Sequence, residues 1–439
     1  MNVKFLSKSR GIKNLFLRFL SVPKRFGLTS KKFDKLLNKY SMLADRLGCV
    51  PTFAITAVTL KRHPELAREL GRRGIEFAIH GYIHTDYGVL PLEEQVKHFK
   101  RAIHTFQECR LPFTGFRAPF LRTNGQTPQA LSHLAFPYDS SHSVHWDVVD
   151  QAKYARDSWR EYERLLAFYQ TRKAGEYPVL PRTHDGFVEI PVSIPDDEAM
   201  IERLGITDGR EISDVWVNIL QRAYDRGELF TLQLHPERIS LCETALANVI
   251  DKAAQYKPTV WVATLKEIAE WWKQRENFTL DIDASGNNVY QIHANCSERA
   301  TVLLRHGRVN VATAPWFHGY ETVMARDFIL ESPARPVIGV GPDSSPVAVK
   351  FLQSEGYAVE KSDQAENYGL FLSDLAEFQE ADEKPLAEKL EKSGAPLLRY
   401  WRWPDQARSA LSVTGDIDSI TLIDFALRIW ENSKYHGRF

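Results

Sequence analysis

Two histidines four residues apart, in His80-Gly-Tyr-Ile-His84, follow an apolar run, Ile75-Glu-Phe-Ala-Ile79. Imidazoles at that spacing can converge on one metal ion when a turn or helix presents them together. Further along, Gly115-Phe-Arg117-Ala-Pro119-Phe120 offers an arginine able to hold a carboxylate in bidentate geometry. Pro119 stiffens the backbone, which would help aim the Phe120 N–H at a developing oxyanion. A second apolar run ends in Leu232-Gln-Leu-His235. A histidine that titrates near neutrality is the usual proton donor to an amine leaving group. Leu232 and Leu234 would line a slot for a methyl group, and Tyr82, inside the histidine motif, would face the substrate. Plainer readings stand beside these: two ordinary histidines, a surface arginine before a turn proline, and a core strand ending in a satisfied histidine. Asp196-Asp197 either orients a catalytic histidine or forms a solvated turn. Tyr138-Asp139-Ser140-Ser141 is equally open.

The elements that would position these residues alternate. Ser30 to Leu47 reads as a helix with Phe33, Leu36, Leu37 and Tyr40 on one face. Pro51 to Thr56 reads as a buried strand, Glu65 to Arg73 as a helix ended by Gly74, and Ile75 to Ile79 as the next strand. Leu92 to Cys109 is helical again, Gly115 to Arg117 is strand-like, and a helix from Thr264 to Arg275 closes the region. Such βαβα order predicts a parallel sheet with helices outside, as a barrel or a doubly wound sheet, with the site where strands end. Residues 276–334 then read as a β-rich connector of short strands and Gly/Asn turns, and 335–404 as a small open α/β unit. The Gly339-Val-Gly341 pair does not complete a G-x-G-x-x-G and gives no nucleotide signature. Ala410 to Thr414 reads as a last strand, followed by Gly-Asp416-Ile-Asp418 and a helix from Thr421 to Glu431.

Bulk properties narrow the function classes. The chain has 439 residues, enough for two domains or one with a large insertion. Lys+Arg and Asp+Glu both number 56, so the basic excess of a nucleic-acid binder is absent. Cys49, Cys109, Cys242 and Cys296 form no C-x-x-C, which argues for reduced thiols over a disulfide framework or a thiolate metal site. Nine basic residues, seven of them within the first 25 positions, precede the first acid, Asp34, and Ile12, Leu15, Phe16, Phe19 and Leu20 fall at helical spacing. Arg18 interrupts the apolar run a signal peptide requires. The expectation is a basic amphipathic segment over 1–24 in a cytoplasmic protein, packed on its own domain or lying on the inner membrane surface.

In order, strand-His-Gly-Tyr-x-His, Arg-x-Pro-aromatic and Leu-x-Leu-His resemble the polysaccharide deacetylases (carbohydrate esterase family four), from about Pro51 to Trp272. The resemblance implies a distorted (β/α) barrel over 25–275 and a His-His-Asp metal site. It makes His80 and His84 ligands, Arg117 the tether of a general-base aspartate, Phe120 the N–H donor and His235 the general acid. The family usually has Tyr where Phe120 stands, but the role belongs to the backbone. One departure is large. The family opens with a strand ending Thr-Phe-Asp-Asp, and the corresponding stretch here, Arg25-Phe-Gly-Leu-Thr29, holds no acid. Thr414-Gly-Asp416-Ile-Asp418 has the required layout at the other end of the chain. The expectation is a circular permutation in which 405–439 completes the barrel, Asp416 is the base and Asp418 the third ligand. Asp281-Ile-Asp283 has the same spacing, but the strand context and the Thr-Gly lead favour 414–418. The resemblance thus implies one divalent metal, zinc first, with cobalt, nickel or iron also compatible. It implies a carbohydrate or lipid-linked sugar substrate and no nucleic acid. Two other readings are an amidohydrolase of the same superfamily acting on a small non-sugar amide, and a non-catalytic carbohydrate-binding protein.

Overall fold

In the computed structural model of the chain, which describes Val22, residues 25–46 and residues 48–436, four short parallel strands form the heart of the site-bearing unit. They are β1 (Thr52–Ile55), β2 (Glu76–Ile79), β7 (Leu229–Gln233) and β9 (Ser409–Ile417), and all their residues are buried. Strands buried on both faces read as continuous apolar runs, as Phe53–Ile55 and Phe77–Ile79 do in the sequence. The last strand in the chain lies inside the sheet. β9 pairs in parallel with β1 (Thr52↔Thr414 to Ile55↔Ile417) and with β7 (Ala410↔Leu229 to Thr414↔Gln233). β1 pairs with β2, and Phe116 bridges Ile79 on one side and Asp139 on the other. The sheet continues through β3 (Tyr138–Asp139) to β5 (Val188–Glu189), while β4 (Ser143–His145) pairs with β6 (Val192–Ile194). β8 (Val260–Val262) ends where the Ala263 N–H donates to the Leu411 carbonyl. The result is an α/β fold built on a mainly parallel sheet with helices packed around it. Gly115-Phe-Arg117, expected as a strand, makes only the two isolated bridges at Phe116.

The surrounding helices follow from apolar periodicity. α1 (Lys31–Arg46) buries Phe33, Leu37, Tyr40 and Ala44, and α2 (Leu92–Glu108) buries Phe99, Ala102 and Phe106. α3 (Gly209–Arg226) and α4 (Ile239–Gln255) pack on each other. α5 (Leu422–His436) opens with a reciprocal cap. The Thr421 N–H donates to Asp424 at 2.9 Å, and the Asp424 N–H donates to the Thr421 hydroxyl at 3.1 Å. Among the described residues, no helix is long and apolar enough to cross a membrane. The basic amphipathic segment expected over 1–24 lies outside the described residues, apart from Val22.

The chain divides into two compact units. One holds the described residues up to Gly175 together with Val179–Glu270 and the stretch from Ala410 onward; the other holds 176–178 and Trp271–Ser409. The second unit corrects the expectation of a separate β-rich connector over 276–334. Its strand Val302–Arg305 pairs antiparallel with Leu397–Tyr400, so the β-rich stretch and the small α/β segment share a sheet. A pairing across that sequence distance leaves no local signature. The parallel strands Arg335–Val340, Val359–Lys361 and Tyr368–Leu372 form the α/β part. All four cysteines are free thiols, three of them buried.

Candidate metal centre

The ends of β2 and β9 deliver three potential ligands to one point. His80 follows β2 directly, and Gly81, at φ +78°, turns the chain sharply; a Cβ there would come within 3.1 Å of the Tyr87 ring. The loop then brings His84 back. One ligand atom from each of His80, His84 and Asp418 lies within 4.8 Å of the other two. His80 Nε2 is 3.3 Å from Asp418 Oδ1, and His84 Nε2 is 3.3 Å from Asp418 Oδ2. Asp418 follows β9 by one residue, because that strand runs on through Ile417 rather than stopping at Thr414.

The donor atoms fit a divalent cation. The His80 Nδ1–H donates to the Arg117 carbonyl at 2.9 Å, which leaves the Nε2 lone pair pointing inward. Burial pulls His84 down to about 4, with the Asp418 charge opposing, so its imidazole is neutral as ligation requires. Burial alone would raise Asp418. The His84 ring and the Arg428 guanidinium beside it outweigh burial and hold the carboxyl well below the usual carboxylate range. Asp418 Oδ1 is buried without a hydrogen-bond partner, an uncompensated acceptor of the kind a cation satisfies. Two imidazoles and one carboxylate suit zinc and its first-row neighbours.

Asp416 sits beside this triad, with Oδ2 3.8 Å from His80 Nε2. Arg117, 1 % exposed, donates to Asp416 Oδ1 at 3.2 Å and to the Thr414 hydroxyl at 2.8 Å. Its other nitrogens donate to the Ser140 carbonyl and hydroxyl, both at 2.9 Å. Gln233 donates to Asp416 Oδ2 at 2.8 Å. Between the two acids, Gly415 is required by close approach. A Cβ there would sit 2.5 Å from the Leu234 carbonyl and 3.0 Å from the Phe53 ring.

The remaining sequence candidates separate. His235 Nδ1 lies 2.9 Å from Asp197, which identifies Asp197 as the acid that orients the histidine. Burial would lower His235, but Asp197 overcomes it and pushes the imidazolium up to about 10. Asp196 turns away and caps the Ala199 N–H at 2.8 Å. Tyr138, Ser140 and Ser141 are braces: Tyr138 donates to Glu76, Ser140 holds Arg117, and the Ser141 hydroxyl accepts from the Ala118 N–H. Phe120 adopts φ 61° and ψ 14°, a strained conformation for a non-glycine residue, with its ring edge-on to His84 at 4.4 Å.

Two expectations are corrected. Tyr82 does not turn toward the histidines; its ring lies under Arg101 at 3.9 Å and edge-on to His98, both on α2. Strand alternation puts Leu232 and Leu234 on the face of β7 opposite Gln233, fully buried in the core, so the residue of this strand that reaches the site is Gln233 and not a leucine pair. Gln233, Arg238, Arg428 and Asn432 escaped sequence reading. Gln233 alone carried a signal, its period-two relation to His235. Arg428 pairs with Asp418 Oδ2, and Asn432 donates to the His84 carbonyl at 2.5 Å, both from α5.

Compared with known proteins, residues 28–138 match the family model for polysaccharide deacetylase. A probable polysaccharide deacetylase from Pseudomonas aeruginosa PAO1 is 19% identical, over 56% of this chain and 74% of that one, with a TM-score of 0.43. PuuE allantoinase is 18% identical, over 55% and 73%, also with a TM-score of 0.43. No curated protein matches.

Proposed function

We propose, from the match of residues 28–138 to the polysaccharide deacetylase family model, that the chain is a metal-dependent hydrolase removing an acyl group, acetyl above all, from an N-acylated sugar. The observation that carries this reading is the convergence of His80, His84 and Asp418 with Asp416 held alongside by Arg117. Those three residues would hold the ion, zinc first and cobalt, nickel or iron as alternatives. A divalent ion there supplies Lewis-acid polarisation of the acyl carbonyl.

The protein's own groups do the rest. Asp416, oriented by Arg117 and Gln233, takes a proton as the oxygen of water bonds to the carbonyl carbon. The Phe120 N–H is the donor assigned to the oxyanion. His235 has Nδ1 engaged by Asp197 and gives its Nε2 proton to the amine as the carbon–nitrogen bond breaks, leaving acetate and a free amino sugar. The parallel insertion of β9 between β1 and β7 supports reading 405–439 as a permuted first strand that completes a barrel over 25–275.

The test is elemental analysis combined with acetate release from N-acetylated sugars. Wild type should carry about one transition metal per chain, and Asp418→Asn should lose it. His235→Ala should keep the metal and lose turnover. A wild type with neither metal nor acetate release ends the enzyme reading, and unchanged turnover in His235→Ala removes that residue from its role.

A further inference from the structure

Behind His235 the charges do not stop at Asp197. Arg238 Nη1 lies 2.7 Å from Asp197 Oδ2, and its Nη2 lies 2.5 Å from Glu202. Glu202 in turn accepts from Arg25 at 2.7 Å, and the other arm of Arg25 pairs with Glu237. The side chains are 0 % (Asp197), 5 % (Arg238), 19 % (Glu202), 13 % (Arg25) and 3 % (Glu237) exposed, so solvent screens little of this array. These five groups are three carboxylates and two guanidiniums, and a protonated His235 brings their sum to zero.

We propose that Arg25, Glu202 and Arg238 are positioning residues for His235: a buried ladder of alternating charge runs from the N-terminal segment to the imidazole and fixes both its ring and its proton. The groups facing His235 are Asp197 and Asp196 from the turn after β6 and Glu237 and Arg238 from the turn after β7. Arg25 and Glu202 act one contact further out. The geometry assigns each a sign. Glu202 and Arg25 neutralise each other's neighbours, so removing the anion leaves Arg238 to weigh on Asp197 and disfavour the imidazolium. Removing Arg25 takes a guanidinium from both Glu202, which keeps Arg238, and Glu237, and the added net negative charge favours it. A merely structural ladder would weaken in the same way from either end. The kinetic consequence rests on the reading of His235 as proton donor; the protonation consequence does not.

The experiment is a pH titration of His235 by NMR in full-length, histidine-labelled protein, assigned with His235→Gln, with circular dichroism to verify folding. Glu202→Gln should lower the His235 midpoint by about 0.5–1 pH unit. Arg25→Met should leave it at or above the wild-type value, and Arg25→Lys should match wild type. Where Arg25→Met fails to fold, Glu202→Gln and Arg25→Lys decide alone. A midpoint unmoved or raised by Glu202→Gln, or lowered by both removals, overturns the ladder. A wild type that releases no acetate yet shows the expected shifts keeps the ladder and ends the deacetylase reading.

Discussion

Two buried acid sites lie at opposite ends of the same strands. At the start of β2, Glu76 accepts from the Tyr138 hydroxyl at 2.6 Å, the Thr52 hydroxyl at 2.9 Å, the Lys266 N–H at 3.1 Å and the Thr114 hydroxyl. Every donor is neutral and both oxygens are saturated, which is what a carboxylate needs to stay in a core. At the far end, Asp416 and Asp418 are held by arginines and histidines, and Asp418 Oδ1 has no hydrogen-bond partner. Both ends are buried and polar. The difference is that one is complete, and the other keeps an acceptor and two imidazole nitrogens turned toward a common point. Burial of a charge marks neither structure nor function; an unfilled valence beside matched donors marks function.

That contrast can be broken most forcefully at Asp416. Asp416→Asn should lower turnover by about 10²–10⁴-fold while metal content and melting temperature stay near wild type; a variant that keeps its rate would make the far end a second structural site. Glu76→Ala should do the reverse. It strands four donors, those of Thr52 and Tyr138 fully buried, and should cost roughly 3 kcal/mol of stability in urea unfolding, with activity per folded molecule retained.

A subtler check uses Asp139, whose carboxyl burial pushes up to about 7. Its folded value lies above its unfolded value of 3.8. Its contribution to stability is therefore full below about pH 4 and is lost as pH rises toward 7. Asp139→Asn removes that slope. Measured against wild type, the variant should gain relative stability between pH 5 and 7.5, and an identical pH dependence in the two proteins would contradict it. The smallest expected effect is at Phe120→Tyr. If the backbone N–H carries the role, initial rates should be unchanged.

Much of the site-bearing unit was legible locally. β1, β2 and α2 follow from apolar runs and periodicity, and each matches its expected span to within two residues. The motifs around His80, Arg117 and His235 stood out because chemistry-bearing residues at strand ends are conspicuous against apolar neighbours. Tyr82, Leu232 and Leu234 misled because membership in a motif says nothing of the direction a side chain faces. Direction comes from the strand pleat and from what α2 offers, Arg101 and His98 in the case of Tyr82.

By itself, then, the sequence determined which residues could ligate, donate and accept, and favoured 414–418 over Asp281-Ile-Asp283 as the source of the missing acids. Only the tertiary structure decided that β9 enters between β1 and β7, that Gln233 and Arg117 share Asp416, and that Arg25 reaches His235 through Glu202, Arg238 and Asp197. The reason is physical. Periodicity and propensity act over a few residues, whereas strand register and buried charge pairing join positions hundreds apart, and their energies exist only once the chain has closed around them.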